Sequence, residues 1–183
     1  MLNSKKLYLY KLIALFLPES RCFGMKNWLL RWCGVKIGTN VRIYSSVMIT
    51  GVGSIEIGDD VFIGPRTIIS SSGEAKIRIG SHVNIGAMCY IVTGTHLIDV
   101  DGERSCGEGF NRNVTIEDGA WLAAHVLVLP GVMADELVIG RKAVVIGGSV
   151  VVSPVAERTM VQGNPAQQSG VLKSRKRRQR LSV

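Results

Sequence analysis

Large aromatic side chains are scarce in this sequence of 183 residues, of which phenylalanine, tryptophan and tyrosine make up 6%. A long apolar run is also missing, because Lys11 interrupts the apolar stretch at residues 7–17 and about 20 apolar residues are needed to span a bilayer. No small-residue cleavage site follows that stretch, so we expect no secretory signal peptide. Hydrophobic residues still reach 46% and glycines number 21, which favours one domain of repetitive β structure with many turns.

Metal-ligand motifs are lacking as well. The four cysteines include no C-x-x-C pair and no zinc spacing with histidine; they are Cys22, Cys33, Cys89 and Cys106. We therefore expect no bound metal, and we expect reduced thiols as in a cytoplasmic protein.

Acidic residues are fewer than basic ones, 14 against 22, which gives a formal net charge of +8. Six of the positive charges lie within residues 173–180. We predict that residues 167–183 form a solvated basic tail, and attraction to anionic lipid or to a phosphorylated ligand is the alternative. No nucleic-acid partner is expected, since no aromatic or recognition motif accompanies the basic run.

Residues 1–34 are predicted to be helical. Leu7, Tyr10 and Ala14 recur at helical spacing, Pro18 ends the run, and residues 25–32 offer a second short helix. We interpret this segment as a cap over the open end of a repetitive fold, which such folds need. Contact of the same apolar face with a membrane surface is the alternative interpretation.

A six-residue period runs through residues 35–166 and is clearest at residues 79–96. Each unit opens with an aliphatic residue, most often isoleucine, and carries a small residue at position five. About fifteen units group into five coils, which begin at Ile37, Ile57, Ile79, Ile116 and Ile139. Parallel strands about 4.8 Å apart would make these five coils a three-sided prism, interrupted by one inserted loop at residues 97–113.

Stacking the coils predicts columns of outward side chains at position six of the units. The first face is expected to carry Arg42, Phe62, Asn84, Trp121 and Val144. The second face is expected to carry Met48, Ile68, Tyr90, Leu127 and Val150, and the third Ser54, Glu74, His96 and Met133. The second column is an unbroken apolar stripe, which predicts an interface between three identical chains in a homotrimer.

Residues 93–99, the loop after them, residues 114–131 and Gly163-Asn164-Pro165 together resemble the active-site segment of hexapeptide-repeat O-acetyltransferases that act on sugars. The resemblance covers residues 35–166 and implies an all-β fold, the left-handed parallel β-helix. It also implies acetyl-CoA as co-substrate and His96 as the general base that takes the proton of an acceptor hydroxyl. An imidazole suits this step because it titrates near neutrality.

The resemblance implies further site residues. Those expected beside the acceptor are Asn84, Asp99 and Trp121, and those expected along the pantetheine arm of CoA are the small residues Ala123, Ala124, Gly147 and Gly148. Ser153 stands where the family has a lysine that meets the CoA phosphate, so Lys173 of the basic tail is expected to substitute for it. Two alternatives remain open: Trp121 is an aromatic residue of a subunit interface, or the four small residues are simple turn residues.

Two histidines are expected to have no role in the chemistry. His82 and His125 fall at position four of their units, where exposed turns are predicted, although His125 is close enough in sequence to the small column to border the CoA groove. His96 and Trp121 are expected on different faces of the prism. They can therefore converge only if neighbouring chains face each other, so the active site is expected to be shared between subunits.

Departures from the family pattern bear on the acceptor. Arg66 and Ser71-Ser72 stand where acetyltransferases of small sugars often carry asparagine and aspartate, whereas residues 28–35 look more like transferases of surface-polysaccharide biosynthesis. We therefore predict a cytoplasmic sugar O-acetyltransferase acting on a sugar or lipid-linked oligosaccharide, and a peripheral location at the inner face of the membrane is the alternative to a freely cytoplasmic one. The alternatives are an N-acetyltransferase of amino-sugar nucleotides, a non-catalytic scaffold, and a metal-dependent hydratase, for which the three histidines are too scattered.

Overall fold

The computed structural model describes residues 1–130 and 136–173. Two helices, α1 (Ser4–Ala14) and α2 (Phe23–Trp32), precede a long series of short strands. The strands are β1 (Lys36–Ile37), β2 (Arg42–Ile43), β3 (Met48–Gly51), β4 (Ser54–Ile57), β5 (Phe62–Ile63), β6 (Ile68–Ser71), β7 (Lys76–Ile79), β8 (Asn84–Ile85), β9 (Tyr90–Val92), β10 (Gly94–Ile98), β11 (Cys106–Asn111), β12 (Asn113–Ile116), β13 (Trp121–Leu122), β14 (Leu127–Val128), β15 (Glu136–Ile139), β16 (Val144–Val145), β17 (Val150–Val151), β18 (Thr159–Gln162) and β19 (Gln167–Val171). Met133 of the predicted third column and the basic residues 174–183 lie outside the described residues.

Three parallel sheets run along the molecule, and each coil gives one strand to each sheet. The third-face sheet has the order β1-β4-β7-β12-β15, and the second-face sheet has the order β17-β14-β9-β6-β3. The first-face sheet is longer, β19-β18-β16-β13-β8-β5-β2. The predicted β-solenoid of about five coils, with helices at its N-terminal end, is therefore confirmed.

The core is a stack of aliphatic side chains that point inward from the three sheets. On the first face these are Ile43, Ile63, Ile85, Leu122 and Val145, all fully buried. Because the same position recurs in every coil, each side chain packs directly on the equivalent one above and below it. Each such side chain contributes about 1.5–3 kcal/mol by leaving water, so the repeat itself supplies the stability of the rod.

The corners between sheets explain the glycines and polar residues of the repeat. Position four of many units has a left-handed backbone, as at Asp60 (φ 58°), His82 (φ 59°) and His125 (φ 60°). Position two approaches the next coil closely, and a Cβ at Gly86 would come within 2.7 Å of the backbone of residues 123–124. The period of six is therefore enforced by the turn geometry as well as by the core.

Two of the three predicted outward columns are confirmed. Pairing in register links Arg42, Phe62, Asn84, Trp121 and Val144 on the first face. It likewise links Met48, Ile68, Tyr90, Leu127 and Val150 on the second face. The second column therefore forms a continuous apolar stripe along the outside of the single chain.

The third predicted column is wrong. Ser54 pairs with Lys76 rather than with Glu74, and the outward residues that stack on this face are Lys36, Glu56, Arg78, Thr115 and Val138. The cause is the corner before this sheet, which has a different length in successive coils. Counting six residues from the second face therefore misses the register of the third.

The inserted loop has strand structure that the sequence analysis did not predict. Its first part continues β10, and β11 pairs with β10 in an antiparallel hairpin. At the other end of the chain, β19 reverses direction and pairs antiparallel with β18, although residues 167–171 were expected to be part of the tail.

The N-terminal segment caps the first coil, as predicted. Helix α2 packs on β1 and β2, whereas α1 packs on β3 and on α2. Polar side chains of α2 join the cap to the coil: Asn27 donates to the carbonyl of Val41, and Arg31 donates to the carbonyl of Ile37. Neither helix has the length and apolar character required to cross a bilayer, among the residues described.

Candidate active site

His96 lies on the hairpin that leaves the third coil. It is in β10, where it pairs with Gly109 of β11, and its side chain is exposed. A Cβ on Gly109 would come within 3.4 Å of Nε2 of the His96 ring. The glycine opposite His96 therefore leaves the imidazole room beside the strand, with its ring free to meet a ligand.

The base of the hairpin is tied to the solenoid on both sides. Thr93 is fully buried; its hydroxyl accepts from the backbone N–H of Ser72 (2.8 Å), and its carbonyl accepts from the N–H of Arg112 (2.9 Å). The Arg112 guanidinium lies 5.1 Å from the centroid of the Phe110 ring. These contacts fix where the hairpin emerges and hence where His96 stands relative to the coils.

Asp99 lies at the far end of the same hairpin. Its Oδ1 accepts from the N–H groups of Asp101 (3.1 Å) and Gly102 (2.9 Å), while its own N–H donates to the carbonyl of Ser105 (3.1 Å). These bonds give Asp99 a structural role in shaping the turn. A direct contact with the acceptor stays a prediction.

Asn84 and Trp121 lie side by side on the first face. They are register partners in β8 and β13, and the Trp121 side chain is 50% exposed. With Phe62, Ile85 and Gly86 they line a shallow cavity of about 310 Å³. An exposed indole beside an amide offers both a stacking surface and a hydrogen-bonding group, which suits the apolar face and the hydroxyls of a sugar ring.

The hairpin and this cavity belong to different sheets. His96 is on the two-stranded β10–β11 sheet that follows the second-face strand β9, whereas Asn84 and Trp121 are on the first-face sheet. Within one chain His96 and Trp121 are therefore on different sheets, but His96 is on the hairpin and not on the third face, where the period of six predicted it. Completion of the site by a neighbouring chain stays a prediction.

No protein-family model matches the chain. The chain is 35% identical over 148 residues, 79% of its length and 73% of the relative's, to WcaF of Escherichia coli strain K12, which is named as a colanic acid biosynthesis acetyltransferase. This chain belongs to the family of hexapeptide-repeat acetyltransferases. It is also 31% identical over 129 residues, 60% of its length and 59% of the relative's, to galactoside O-acetyltransferase of Lactococcus lactis.

The fold of this hexapeptide-repeat acetyltransferase matches that of solved structures. The structure of VCA0836 from Vibrio cholerae, a hexapeptide-repeat acetyltransferase complexed with acetyl-CoA, superposes with a TM-score of 0.63 at 24% identity. The superposition covers 93% of the present chain and 87% of VCA0836. The superposition confirms the fold, and the identity to WcaF over most of both chains confirms the predicted family and enzyme class.

The small residues of the acetyltransferase form a narrow strip at the corner between its first and second faces. Gly148 donates its N–H to the carbonyl of Ala124 (3.0 Å), and Ala123 donates to the carbonyl of Val145 (2.9 Å). A Cβ at Gly148 would meet nothing within 4 Å, whereas one at Gly147 would come within 3.0 Å of the Ala124 carbonyl oxygen. Ala124, Gly147 and Gly148 are exposed and carry no large side chain, so the strip has room for an extended chain such as pantetheine.

Lys173 is exposed and follows β19 at the last described residue. No contact of its side chain links it to the small-residue strip within the described ranges. Its predicted place at the CoA phosphate stays a prediction.

The two other histidines lie on outward turns. His82 Nδ1 is 3.4 Å from Oδ2 of Asp60, and His125 is exposed at its left-handed turn position. In residues 1–130 and 136–173 no group of three or more His, Cys, Asp or Glu side chains could hold a metal ion. All four cysteines have free thiols.

Three residues that shape the site were not predicted from the sequence. Phe62 lines the cavity under Trp121, Gly109 faces the His96 ring, and Thr93 anchors the hairpin. Phe62 could have been found from its place in the same column as Asn84. Thr93 opens the segment that resembles the family's active site, but its anchoring role was not evident, and Gly109 carried no signal because the antiparallel pairing of the hairpin was not predicted.

Proposed function

We propose that this acetyltransferase moves the acetyl group of acetyl-CoA to a hydroxyl of a sugar during surface-polysaccharide biosynthesis, with His96 as general base. The observation that carries the proposal is the 35% identity to WcaF over most of both chains, since WcaF is named for colanic acid biosynthesis. The identity to a galactoside O-acetyltransferase favours a hydroxyl over an amine as the acceptor. The exposed imidazole on the hairpin supplies the base that such a hydroxyl needs.

Acetyl-CoA supplies the thioester in this scheme, and the protein supplies a base and two binding surfaces. The acceptor hydroxyl gives its proton to a ring nitrogen of His96 as its oxygen bonds to the acetyl carbonyl carbon. The carbon–sulfur bond breaks, and the same proton passes from His96 to the departing sulfur. No acetyl group stays on the enzyme, and His96 returns to its starting form.

The binding surfaces follow from the two exposed strips. Ala123, Ala124, Gly147 and Gly148 would hold the pantetheine arm, because its amides can pair with backbone there without a bulky side chain in between. Asn84 and Trp121 would hold the sugar, with the ring against the indole and a hydroxyl on the amide.

We propose further that the working unit is a homotrimer in which His96 of one chain meets the Trp121 surface of the next. The support is that one chain presents these two residues from different sheets and carries an apolar stripe on its second face. Burial of Tyr90, Leu127 and their column against a neighbour would bring the hairpin across to the next first face.

The test is a substitution series at the three histidines. His96→Asn removes the base while keeping a polar side chain of similar size, and the matched controls are His82→Asn and His125→Asn. We expect His96→Asn to lower turnover by about 10²–10⁴-fold with little change in KM for acetyl-CoA, and we expect both controls to keep near wild-type turnover. Turnover that survives His96→Asn would remove His96 from the chemistry.

The acceptor class needs its own measurement. Purified protein is given acetyl-CoA and matched sugars that differ only by a hydroxyl or an amine, and release of free CoA thiol is followed. Mass spectrometry of the surface glycan from cells with and without the protein then identifies the acetylated sugar. Turnover only with the amine would show that the protein is an N-acetyltransferase. If the protein does not bind acetyl-CoA, it is a non-catalytic scaffold.

A further inference from the structure

Helix α1 is apolar on two opposite sides. One side packs inward through Leu7, Tyr10 and Ala14, which are all buried. The other side is exposed, and its apolar side chains follow helical spacing into the turn after the helix: Tyr8, Leu9, Leu12, Leu15 and Phe16. Tyr8 is 67% exposed and Phe16 88% exposed, so this second side is left uncovered by the rest of the chain.

Helix α2 continues the same kind of surface. Met25, Trp28 and Trp32 recur at i, i+3 and i+7 and are all exposed, Trp28 by 63%. Lys6 joins the two helices, because its Nζ lies 4.7 Å from the centroid of the Trp32 ring and donates to the Trp32 carbonyl oxygen (3.3 Å). The exposed apolar residues of α1, α2 and the turn between them are together called the cap face below.

Basic residues surround the cap face. The first 34 residues contain a single acidic residue, Glu19, and its carboxylate accepts a hydrogen bond from the Ser46 hydroxyl. The basic residues of the same segment that reach the surface are Lys5, Lys6, Lys11, Arg21 and Arg31, whereas Lys26 is buried. On a helical wheel Lys11 and Lys6 flank the exposed apolar arc of α1, and Lys5 lies within the arc at the first turn of the helix. The exposed stems of Lys5 and Lys11 can extend past the apolar side chains so that their ammonium groups reach the headgroups.

We propose that the cap face docks on the surface of an anionic lipid bilayer, with α1 lying in the interface. A helix that exposes aromatic and leucine side chains between lysines has the composition of interfacial helices. Tryptophan and tyrosine favour the same depth, because their rings are apolar and their polar atoms stay near headgroups. The basic residues attract the anionic headgroups by roughly 1 kcal/mol each.

The charge also distinguishes lipid from a second copy of the chain. Two cap faces meeting each other would bring two strongly basic segments together with only Glu19 of each to balance them. An anionic bilayer instead satisfies both the apolar side chains and the lysines. The docking surface is argued from the cap alone and does not rest on the proposed acetyl transfer.

Docking of the cap face would bring the His96 hairpin close to a lipid-linked acceptor in the same bilayer. The cap lies on coil one, and the His96 hairpin leaves coil three. Two strand spacings separate these coils, about 10 Å along the solenoid axis. An acceptor anchored in the same bilayer could therefore reach the site without leaving the membrane surface.

The test is co-sedimentation of the full chain with large vesicles. Neutral vesicles are phosphatidylcholine alone, and anionic vesicles contain phosphatidylglycerol as well. The cap variant is Leu12→Ser with Phe16→Ser and Trp28→Ser. The matched control is Ile98→Ser with Val100→Ser and Val171→Ser, because these residues are also exposed, Ile98 and Val100 by 83%, but lie away from the cap.

We expect wild type and control to bind anionic vesicles, to bind neutral vesicles at least tenfold more weakly, and to release in high salt. The cap variant should lose at least tenfold in binding. A third variant, Lys176→Gln with Arg177→Gln and Arg178→Gln, measures the contribution of the basic tail. Equal binding of the cap variant and the control, or binding lost only with the tail variant, would overturn the proposal.

A second measurement uses the wild-type fold and needs no serine variant. Brominated lipids quench tryptophans that enter the interface, so quenching should persist in Trp121→Phe and disappear in Trp28→Phe with Trp32→Phe. Analytical ultracentrifugation without lipid tests self-association. A change of oligomeric state in the cap variant with unchanged vesicle binding would make the cap face a contact between copies and refute lipid docking.

Discussion

Replacing Tyr10 by phenylalanine should stabilise the protein. Tyr10 lies on the inner side of α1 and is 3% exposed, and its buried hydroxyl has no hydrogen-bond partner in the described part of the chain. Burying an unpaired hydroxyl costs about 1–3 kcal/mol relative to water. Tyr10→Phe keeps the ring and removes only this cost, so we expect a gain of about 1 kcal/mol or more.

The same substitution should also change how the stability of the protein depends on pH above about pH 10. Burial raises the pKa of Tyr10 from its ordinary value of 10.0 to about 12, with a smaller contribution from the nearby Cys33 thiol. Between these two values the unfolded chain has lost the phenol proton while the folded chain keeps it. Because the folded state favours the neutral phenol over the ionised one, the wild-type protein keeps its full stability below about pH 10 and loses stability as the pH rises towards 12.

Urea unfolding followed by far-ultraviolet circular dichroism, at pH 8 and at steps up to pH 11.5, measures both effects. Tyr10→Phe should unfold at higher urea at pH 8, with a melting temperature about 2–4 °C higher per kcal/mol, and its alkaline loss should be smaller than that of wild type. Tyr8→Phe is the control, because Tyr8 is exposed on the same helix. A Tyr10→Phe variant that is less stable at pH 8 would show that the hydroxyl has a partner and would refute the reasoning.

Two further predictions concern packing. Lys26 is fully buried, and its ammonium donates to the Glu19 carbonyl (3.0 Å) and the Ser45 hydroxyl (3.1 Å). Lys26→Met should lower stability by about 1.5–3 kcal/mol in urea melts, because these partly buried acceptors lose a charged donor. An unchanged melt would show that the cap relaxes to expose them to water. Gly86→Ala should lower stability by about 1–3 kcal/mol, because its Cβ would meet the backbone of the next coil at 2.7 Å. The control is Gly24→Ala in α2, where an added Cβ would meet nothing within 4 Å. This variant should be more stable by up to about 1 kcal/mol, and a loss of stability as large as that of Gly86→Ala would contradict the steric explanation.

Most of the solenoid could be predicted because its period is local. The columns through Trp121 and Tyr90 follow from counting six residues, since the turns at those two corners keep a constant length. The column containing Ser54 could not be found in this way, because residues between the second and third faces vary in number and only the paired strands show the register. The core isoleucines were predictable throughout, because they open the units.

The site was predictable only in part. His96 and Trp121 were identified from their resemblance to a family motif, but the period placed His96 on the third face, whereas it lies on the β10–β11 hairpin. The hairpin was missed because β11 contains Gly107 and Gly109, residues that weaken any strand pattern. The exposed side of α1 was hidden for another reason: both of its sides are apolar, so spacing alone does not say which one faces the solenoid.

The corner between the second and third faces accommodates insertions of different length without disturbing the stacked strands. Residues 52–53 make that corner in the first coil, residues 72–75 in the second, and a whole hairpin grows from it in the third. The strands on either side of the corner stack in the same way in all three coils, so the length of the corner does not affect the solenoid. We therefore expect that a longer or shorter hairpin would change the surface around His96 without disturbing the stacked aliphatic core.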